Sequence, residues 1–587
     1  MKKIIISVIS AFAVLFVILI INTISLKPKK IIVDEVEKLE ISEDAINRFS
    51  GAIKFMTISS GNDSDNYTEE FLKLHEYLES VFPNLHNNLE KKVFNQSLLF
   101  KWQGLNNDLK PGLLMSHLDV VPVDNSTLKE WEAPPFSGEV KNGVIYGRGT
   151  LDDKVSVMGI MEAVESLINN GFKPIRTIYL AFGHDEEIGG NNGAGVIAKY
   201  LSENNINLEF VLDEGGFVAE QMVNGISKPM AIINVAEKGY VSYKLTIKTE
   251  GGHSSAPPKD NTIGSLATAI TKLESNQFKP RMIPLLNTQI ETVGAELPFF
   301  EKMIFANKWL FKNIILEGFN AKTTIAPTII SGGVKDNVIP TTASVVVNFR
   351  IMIGDKPDEI KKHIINTIDD SRILVEEINP PNLPSPVSDF NSESFKLIEK
   401  TILQIIPDAI TTPGLVGGGT DTKHYQKVSD NAYRFYPIRV NESNIASNDK
   451  DIILGLLDFN NWLQIQLLEK RISISRLRSM VFGEPKSQLR QTSSNNKKPL
   501  NKTEAELSSI SKVDIDDNSE KILPRKTGGR LSYSDYKQVN TVNIKHSKLQ
   551  VGSLCPMDCG GKLWSSMPGN VVKITGQGFA KVTHYNL

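Results

Sequence analysis

The sequence predicts an α/β fold built on a mostly parallel sheet and interrupted by a smaller α+β domain. Three observations carry this. Short apolar strands alternate with helix-length amphipathic segments from about Val36 to Glu214. Polar clusters follow the C-terminal ends of several of those strands, the edge where open α/β sheets bind ligands. Between Glu237 and Arg350 the texture changes to half-exposed alternation, read as an inserted domain. The expected division is residues 1–30 as a signal anchor or transmembrane helix, 31–236 and 353–468 as two parts of one α/β domain, 237–352 as the inserted α+β domain, and 469–587 as a largely irregular tail.

Composition narrows the chemistry. The 587 residues carry a formal net charge of −2, which gives no electrostatic case for nucleic acid as the main partner. The only two cysteines, Cys555 and Cys559, lie near the C-terminus. A metal held earlier in the chain must therefore be held by His, Asp and Glu.

The chain opens with Met1-Lys2-Lys3 and an apolar run from Ile4 to Ile21, about long enough to cross a bilayer as a helix. No small-x-small cleavage pattern follows it, so it reads as an uncleaved signal anchor, with a cleaved signal peptide as the alternative. Lys27, Lys29 and Lys30 balance the lysines on the other side, so charge sets orientation only weakly. The domain that follows is expected outside the cytoplasm.

Ala45 to Met56 and Glu69 to Val81 read as amphipathic helices. The apolar strand Leu113-Leu-Met-Ser116 leads to His117-Leu-Asp119, and Val144-Ile-Tyr146 leads to Gly147-Arg-Gly-Thr-Leu-Asp152-Asp153-Lys154. A helix over Val155 to Asn169 precedes the strand Thr177 to Phe182, which empties into Gly-His-Asp185-Glu186-Glu187. A helix follows from about Ala194 to Glu203, and Glu209-Phe-Val-Leu212 then ends in Asp213-Glu214. In the inserted stretch, Tyr240 to Lys248 alternates like a half-exposed strand, and the loops carry His253 and Asn337. The parallel pattern is expected to resume with helix 357–368, strand 372–378 and helix 392–405. Gly417-Gly-Gly-Thr-Asp-Thr-Lys-His424 then opens a helix, and Tyr433 to Tyr436 is the last clear strand.

An isolated Asp-Glu-Glu is more often a solvated loop. Four polar clusters on one sheet edge make a site. Adjacent carboxylates repel unless something positive lies between them, and a metal ion meets that need. His117, Asp152, Glu187, one of Asp213 and Glu214, and His424 give two histidines and three carboxylates for two ions, with Asp152 able to serve both. Asp119 can fix the His117 ring, and Glu186 is left as general base. His253 suits an oxyanion, Arg350 a substrate carboxylate, and Asn337 with the Gly417–Gly419 loop, Gly418 at its centre, a peptide group.

These motifs occur in the order found in the dizinc metallopeptidases of the aminoacylase and carboxypeptidase S family, which residues 35–468 resemble. The Asp213-Glu-Gly-Gly stretch is most similar to the Gly-X carboxypeptidase and N-acyl-amino-acid hydrolase branch. The resemblance implies two zinc ions (cobalt or manganese being alternatives) held by His117, bridging Asp152, Glu187, His424 and a fifth ligand, Asp213 in preference to Glu214. It implies Glu186 as base, Asp119 as orienting acid and a cis bond between Asp152 and Asp153. It also implies a lid domain that dimerises and supplies His253, in some relatives to the partner subunit. The substrates implied are short peptides or N-acyl amino acids, cleaved at an amide beside a free carboxylate. One departure is Asn441-Glu-Ser-Asn-Ile-Ala446, where the family carries an arginine-containing motif.

The tail has another texture. Arg476 to Gly483, Cys555 to Gly561 and Pro568 to Gly576 resemble the N-terminal region of an insertion-sequence transposase, as though a mobile element had altered the C-terminus. Cys555 and Cys559 have three residues between them, where a zinc knuckle has two. A nucleic-acid-binding protein led by this tail is the alternative to a hydrolase.

Overall fold

A computed structural model describes residues 2–34, 36, 42–61 and 67–440, together with the backbone of the hairpin strands Asn570–Ile574 and Ala580–His584. The other tail features named above, and the Asn441–Ala446 departure, lie outside the described residues.

The apolar run forms one helix, Lys2–Ser25. Helix Glu43–Ile53 starts where Ser42 Oγ accepts the Ala45 amide, and Phe49, Ala52 and Ile53 face the core. It is shorter than the segment read from sequence.

The main sheet has ten strands and is mixed, not mostly parallel. Its centre is parallel: Ile178–Gly183, Gly112–His117, Phe210–Asp213 and Ala432–Arg434 lie side by side. Antiparallel strands flank that centre. On one side the hairpin Glu90–Phe94 and Ser97–Trp102 turns over two residues, with Asn95 at φ +54°. On the other, Met230–Glu237 pairs antiparallel with Val218–Ala219 and parallel with Ile410–Val416. Arg439–Val440, beyond the last strand read from sequence, adds to Val218–Ala219.

The central strands are apolar without a break because both faces are covered. Leu114, Leu180, Phe182 and Leu212 join the core under helix Val155–Asn169. Their neighbours Leu113, Met115, Tyr179, Ala181 and Val211 join a second core with Ala194, Ile197, Ala198 and Leu201 of helix Ala194–Glu203.

A second, antiparallel sheet runs in the order Thr324–Gly332, Thr342–Ile351, Gly239–Lys248, Ile373–Glu377. One residue, Lys238, separates it from the end of Met230–Glu237. Helices Thr262–Ser275 and Pro357–Ile368 supply its core. The sequence returns the chain to the first sheet at residue 353; the structure keeps it on the second sheet through Glu377. The stripe Ile360, Ile364 and Ile368 is buried there, and Ile373–Glu377 pairs with the open edge of Gly239–Lys248. The chain rejoins the first core at helix Glu393–Ile405. Helices Pro284–Glu296, Phe299–Ala306 and Lys308–Gly318 belong to smaller cores, one including Ile410 and another flanked by Leu415 of the first sheet.

Candidate metal centre

The parallel register builds the site. Gly112–His117 and Ile178–Gly183 end together, His117 opposite Gly183, and the next turn holds Glu186 and Glu187. Asp119 ties the two ends. Its carboxylate accepts the backbone N–H groups of Glu186 and Glu187, each at 3.1 Å. The Nδ1–H of His117 points at the Asp119 main-chain oxygen at 3.0 Å, with the Asp119 carboxylate farther away at 3.4 Å. Asp119 thus orients the ring chiefly through its carbonyl and spends its carboxylate on the acidic turn.

That leaves His117 Nε2 facing carboxylates: Asp152 Oδ1 at 2.9 Å and Glu214 Oε1 at 3.6 Å. A neutral ring bonded through Nδ1 has a lone pair there, so this geometry requires a proton or a cation between them. Burial opposes a charge on His117. The hydrogen bonds to Asp119 and Asp152 and the nearby Glu214 outweigh it and hold the pKa well above the ordinary value. Burial pushes Glu186 and Glu214 well up, and burial with the Asp152 charge raises Glu187 to about 8. Donor atoms of His117, Asp152 and Glu187 lie within 4.8 Å of one another, as do those of His117, Glu186 and Glu214. This crowded set of hard oxygens and one imidazole fits a divalent metal.

The Asp152–Asp153 peptide is cis. Asp153 turns inward to accept from the hydroxyls of Ser116 and Ser156, and burial raises its pKa to about 7. Lys154, also buried and lowered to about 7, donates to the carbonyls of Ala52 and Phe55. Ser116, Ser156 and Lys154 were not singled out in the sequence, because their role depends on which way the turn faces.

Two expected ligands stand elsewhere. Asp213, preferred in the sequence reading, closes its strand on the side of Thr420, Glu237 and Arg434; burial raises it to about 6. Glu214, the next residue, reaches His117 instead, because successive residues at a strand end point opposite ways. His424 lies in the short helix Asp421–Lys427 with Nε2 3.0 Å from the Gly189 carbonyl. Among the described residues, neither Asp213 nor His424 belongs to a group of three clustered donors. Asp421 is buried beside Gly190; both its carboxylate oxygens lack a hydrogen-bond partner, and Oδ1 lies 4.0 Å from His424 Nε2. A Cβ at Gly190, where φ is +68°, would come 1.8 Å from Asp421, so this approach needs glycine.

The loop leading to His424 is held by a network with no sequence motif. Arg434 and Glu237 are both buried and pair at 2.6 Å. Glu237 Oε1 also accepts from the Thr420 amide and from the hydroxyls of Thr420 and Thr422.

The substrate-side candidates lie on the second part of the chain. His253, exposed and bonded to Ser255, sits on a separate two-stranded ribbon, and Asn337 lies in the turn just before its second strand, where its carbonyl accepts the Ser254 amide. Asn337 Oδ1 is buried without a partner. Arg350 lies over the Tyr240 ring at 5.0 Å. It lines a cleft with Lys238, Gln289, Thr324 and Gly417, next to Gly418.

A family model described as Peptidase family M20/M25/M40 matches residues 113–454. A probable carboxypeptidase S-like 2 of Dictyostelium discoideum is 41% identical over 453 residues, covering 73% of this chain and 86% of that protein. An N-fatty-acyl-amino acid synthase/hydrolase of Xenopus tropicalis is 38% identical over 437 residues, covering 72% and 83%. Among solved structures, an M20 family metallo-carboxypeptidase from Sulfolobus solfataricus shares the fold, with TM-score 0.57 and 18% identity over 74% of this chain and all of that one. These comparisons lend no support to the transposase-like reading of the tail or to nucleic acid as a partner.

Proposed function

The chain belongs to peptidase family M20/M25/M40, and from that premise we propose that it is a membrane-tethered dizinc hydrolase. It cleaves an amide beside a free carboxylate, in N-acyl amino acids or at the C-terminus of short peptides. The observation that carries this is His117 Nε2 set against Asp152 and Glu214, with Glu186 and Glu187 closing the cluster.

His117, Asp152, Glu187 and Glu214 would hold the metal, with His424 completing a second site in exchange for its bond to Gly189. Bound there, zinc polarises the scissile carbonyl and acidifies a water towards neutral pH. Glu186 takes a proton from the attacking water and delivers it to the amine nitrogen as the C–N bond breaks. His253 donates to the developing oxyanion, with Asn337 beside it. Arg350 grips the substrate carboxylate next to the Gly417–Gly418 turn.

The names of the relatives support the substrate class, since one is named an N-fatty-acyl-amino acid synthase/hydrolase and another a probable carboxypeptidase S-like protein. A homodimer through the second sheet is supported by Thr324–Gly332, an edge strand whose Ile329 and Ile330 are exposed. The apolar helix Lys3–Ser25 supports the tether; that the remainder lies outside the cytoplasm is part of the proposal.

The test is metal content and turnover of the purified full chain in detergent. About two zinc ions per chain and chelator-sensitive release of an amino acid from acylated amino acids or dipeptides are expected. A chain without metal and without release on either panel overturns the assignment.

A further inference from the structure

The end of the apolar helix is docked on the enzyme. Asn307, fully buried, is the elbow between helices Phe299–Ala306 and Lys308–Gly318. It accepts from Asn22 Nδ2 at 2.8 Å and donates to the Leu19 carbonyl at 3.1 Å. Helix Phe299–Ala306 packs along the apolar helix. Leu19 stands six residues before Ser25, so the elbow lies about 9 Å along the axis from that helix end. If the 24-residue helix is centred across a hydrocarbon core of about 30 Å, the elbow lies roughly 6 Å to the acyl side of the headgroup boundary, the depth of an interfacial helix.

The two helices carry the side chains that depth favours. Phe300 and Trp309 are 75% and 59% exposed, and Phe299, Leu310 and Ile314 are exposed beside them. Leu310 and Ile314 fall four apart on one stripe, with Trp309 adjacent. Large aromatics so placed are costly in water and favoured at a membrane interface.

We propose that Phe299–Ala306 and Lys308–Gly318 form an interfacial platform that lies in the surface of the bilayer the N-terminal helix crosses. The occupant of this apolar face is lipid, named by its continuity with the membrane helix through Asn307. The platform reaches the site as well: Phe319 and Asn320, just past its second helix, line the Arg350 cleft together with Leu286 and Gln289. An amphiphilic substrate dissolved in the membrane would meet that cleft at the surface. The inference rests on the tether proposed above.

The test uses the full chain with Cys555 and Cys559 replaced by Ser, reconstituted into phosphatidylcholine vesicles. A single cysteine replaces Phe12 in the helix, Phe300 on the platform or Leu105, an exposed residue on neither, and carries an environment-sensitive fluorophore. Brominated lipids should quench the probes at Phe12 and Phe300 several-fold more than the probe at Leu105. Quenching at Phe12 with none at Phe300 overturns the platform and leaves the tether standing. No quenching at Phe12 or Phe300 overturns both. As an independent arm, Phe300→Ser with Trp309→Ser should slow hydrolysis of a long-chain acyl substrate carried in vesicles several-fold and leave that of a short-chain, water-soluble one unchanged. Equal effects on the two substrates overturn the surface-delivery role.

Discussion

Arg434 and Glu237 form an ion pair at 2.6 Å with both side chains buried, and the Glu237 oxygen that accepts from Arg434 also accepts from Thr420 and Thr422. The loop to His424 therefore hangs on one interior charge pair. Removing one partner leaves the other uncompensated, at a cost of about 3–5 kcal/mol. Arg434→Met should lower unfolding stability by that order in urea titration. Adding Glu237→Gln should recover part of the loss, whereas a pair that matters little would leave the single variant near wild type.

Glu186→Gln should cut kcat by about 10²–10⁴-fold with zinc content by elemental analysis unchanged. Glu186 also stands in a donor group with His117 and Glu214. Loss of zinc in this variant would make it a ligand, not a base.

The two neighbours at the end of Phe210–Asp213 should separate cleanly. Glu214→Gln is expected to weaken zinc binding by more than tenfold in chelator competition. Asp213→Asn should hold zinc within a few-fold of wild type, because its carboxyl faces Thr420 and Arg434. The reverse order would restore the ligand preferred from sequence.

Asp119→Ala removes the acceptor for two backbone N–H groups of the acidic turn. Partners that orient ligands typically contribute 10–100-fold in metal affinity or activity, and a loss in that range is expected. Asp119→Asn, which keeps one acceptor oxygen, should lose less.

The carboxyl cluster gives the metal-free protein a pH signature. Burial with the Asp152 charge raises Glu187 to about 8, and burial holds Glu186 and Glu214 well above the glutamate value of 4.5. In that window the folded chain holds protons that the unfolded chain has released, so stability falls as pH rises from about 4.5 through about 8. A bound cation removes that penalty. The difference in Tm between zinc-loaded and chelated protein should widen from pH about 5.5 to about 8.5 and narrow at the acid end.

Much of this was legible in the sequence because the central strands are buried on both faces. Continuous apolar runs ending in His117, Glu186 and Asp213-Glu214 mark both the strands and the edge they share. The flanking hairpin and the antiparallel Met230–Glu237 pairing were not legible, since an apolar run does not state the direction of its neighbour. The helix over residues 357–368 was placed in the chain but assigned to the wrong sheet, because an amphipathic stripe does not name the surface that covers it. The choice between Asp213 and Glu214 turns on strand pleat, which adjacent acidic letters do not show. Arg434, Glu237 and the Asn307 elbow carry no local pattern. They come together only through contacts between distant segments.

The single residue between the two sheets has a mechanical consequence. Glu237, which grips the His424 loop, and Tyr240, which faces Arg350, are three positions apart on a nearly unbroken extended chain through Lys238. The amine of Lys238 is itself caught by the carbonyls of Asn320 and Lys322. One residue added or lost there would leave Tyr240 paired across from Arg350 within the second sheet but change its phase relative to Glu237 on the first. The count at this joint thus gears the grip on the His424 loop to the Tyr240–Arg350 stack, and the return path is fastened to the same joint, where Asn382 pairs with Tyr240 and Ser385 with Glu237.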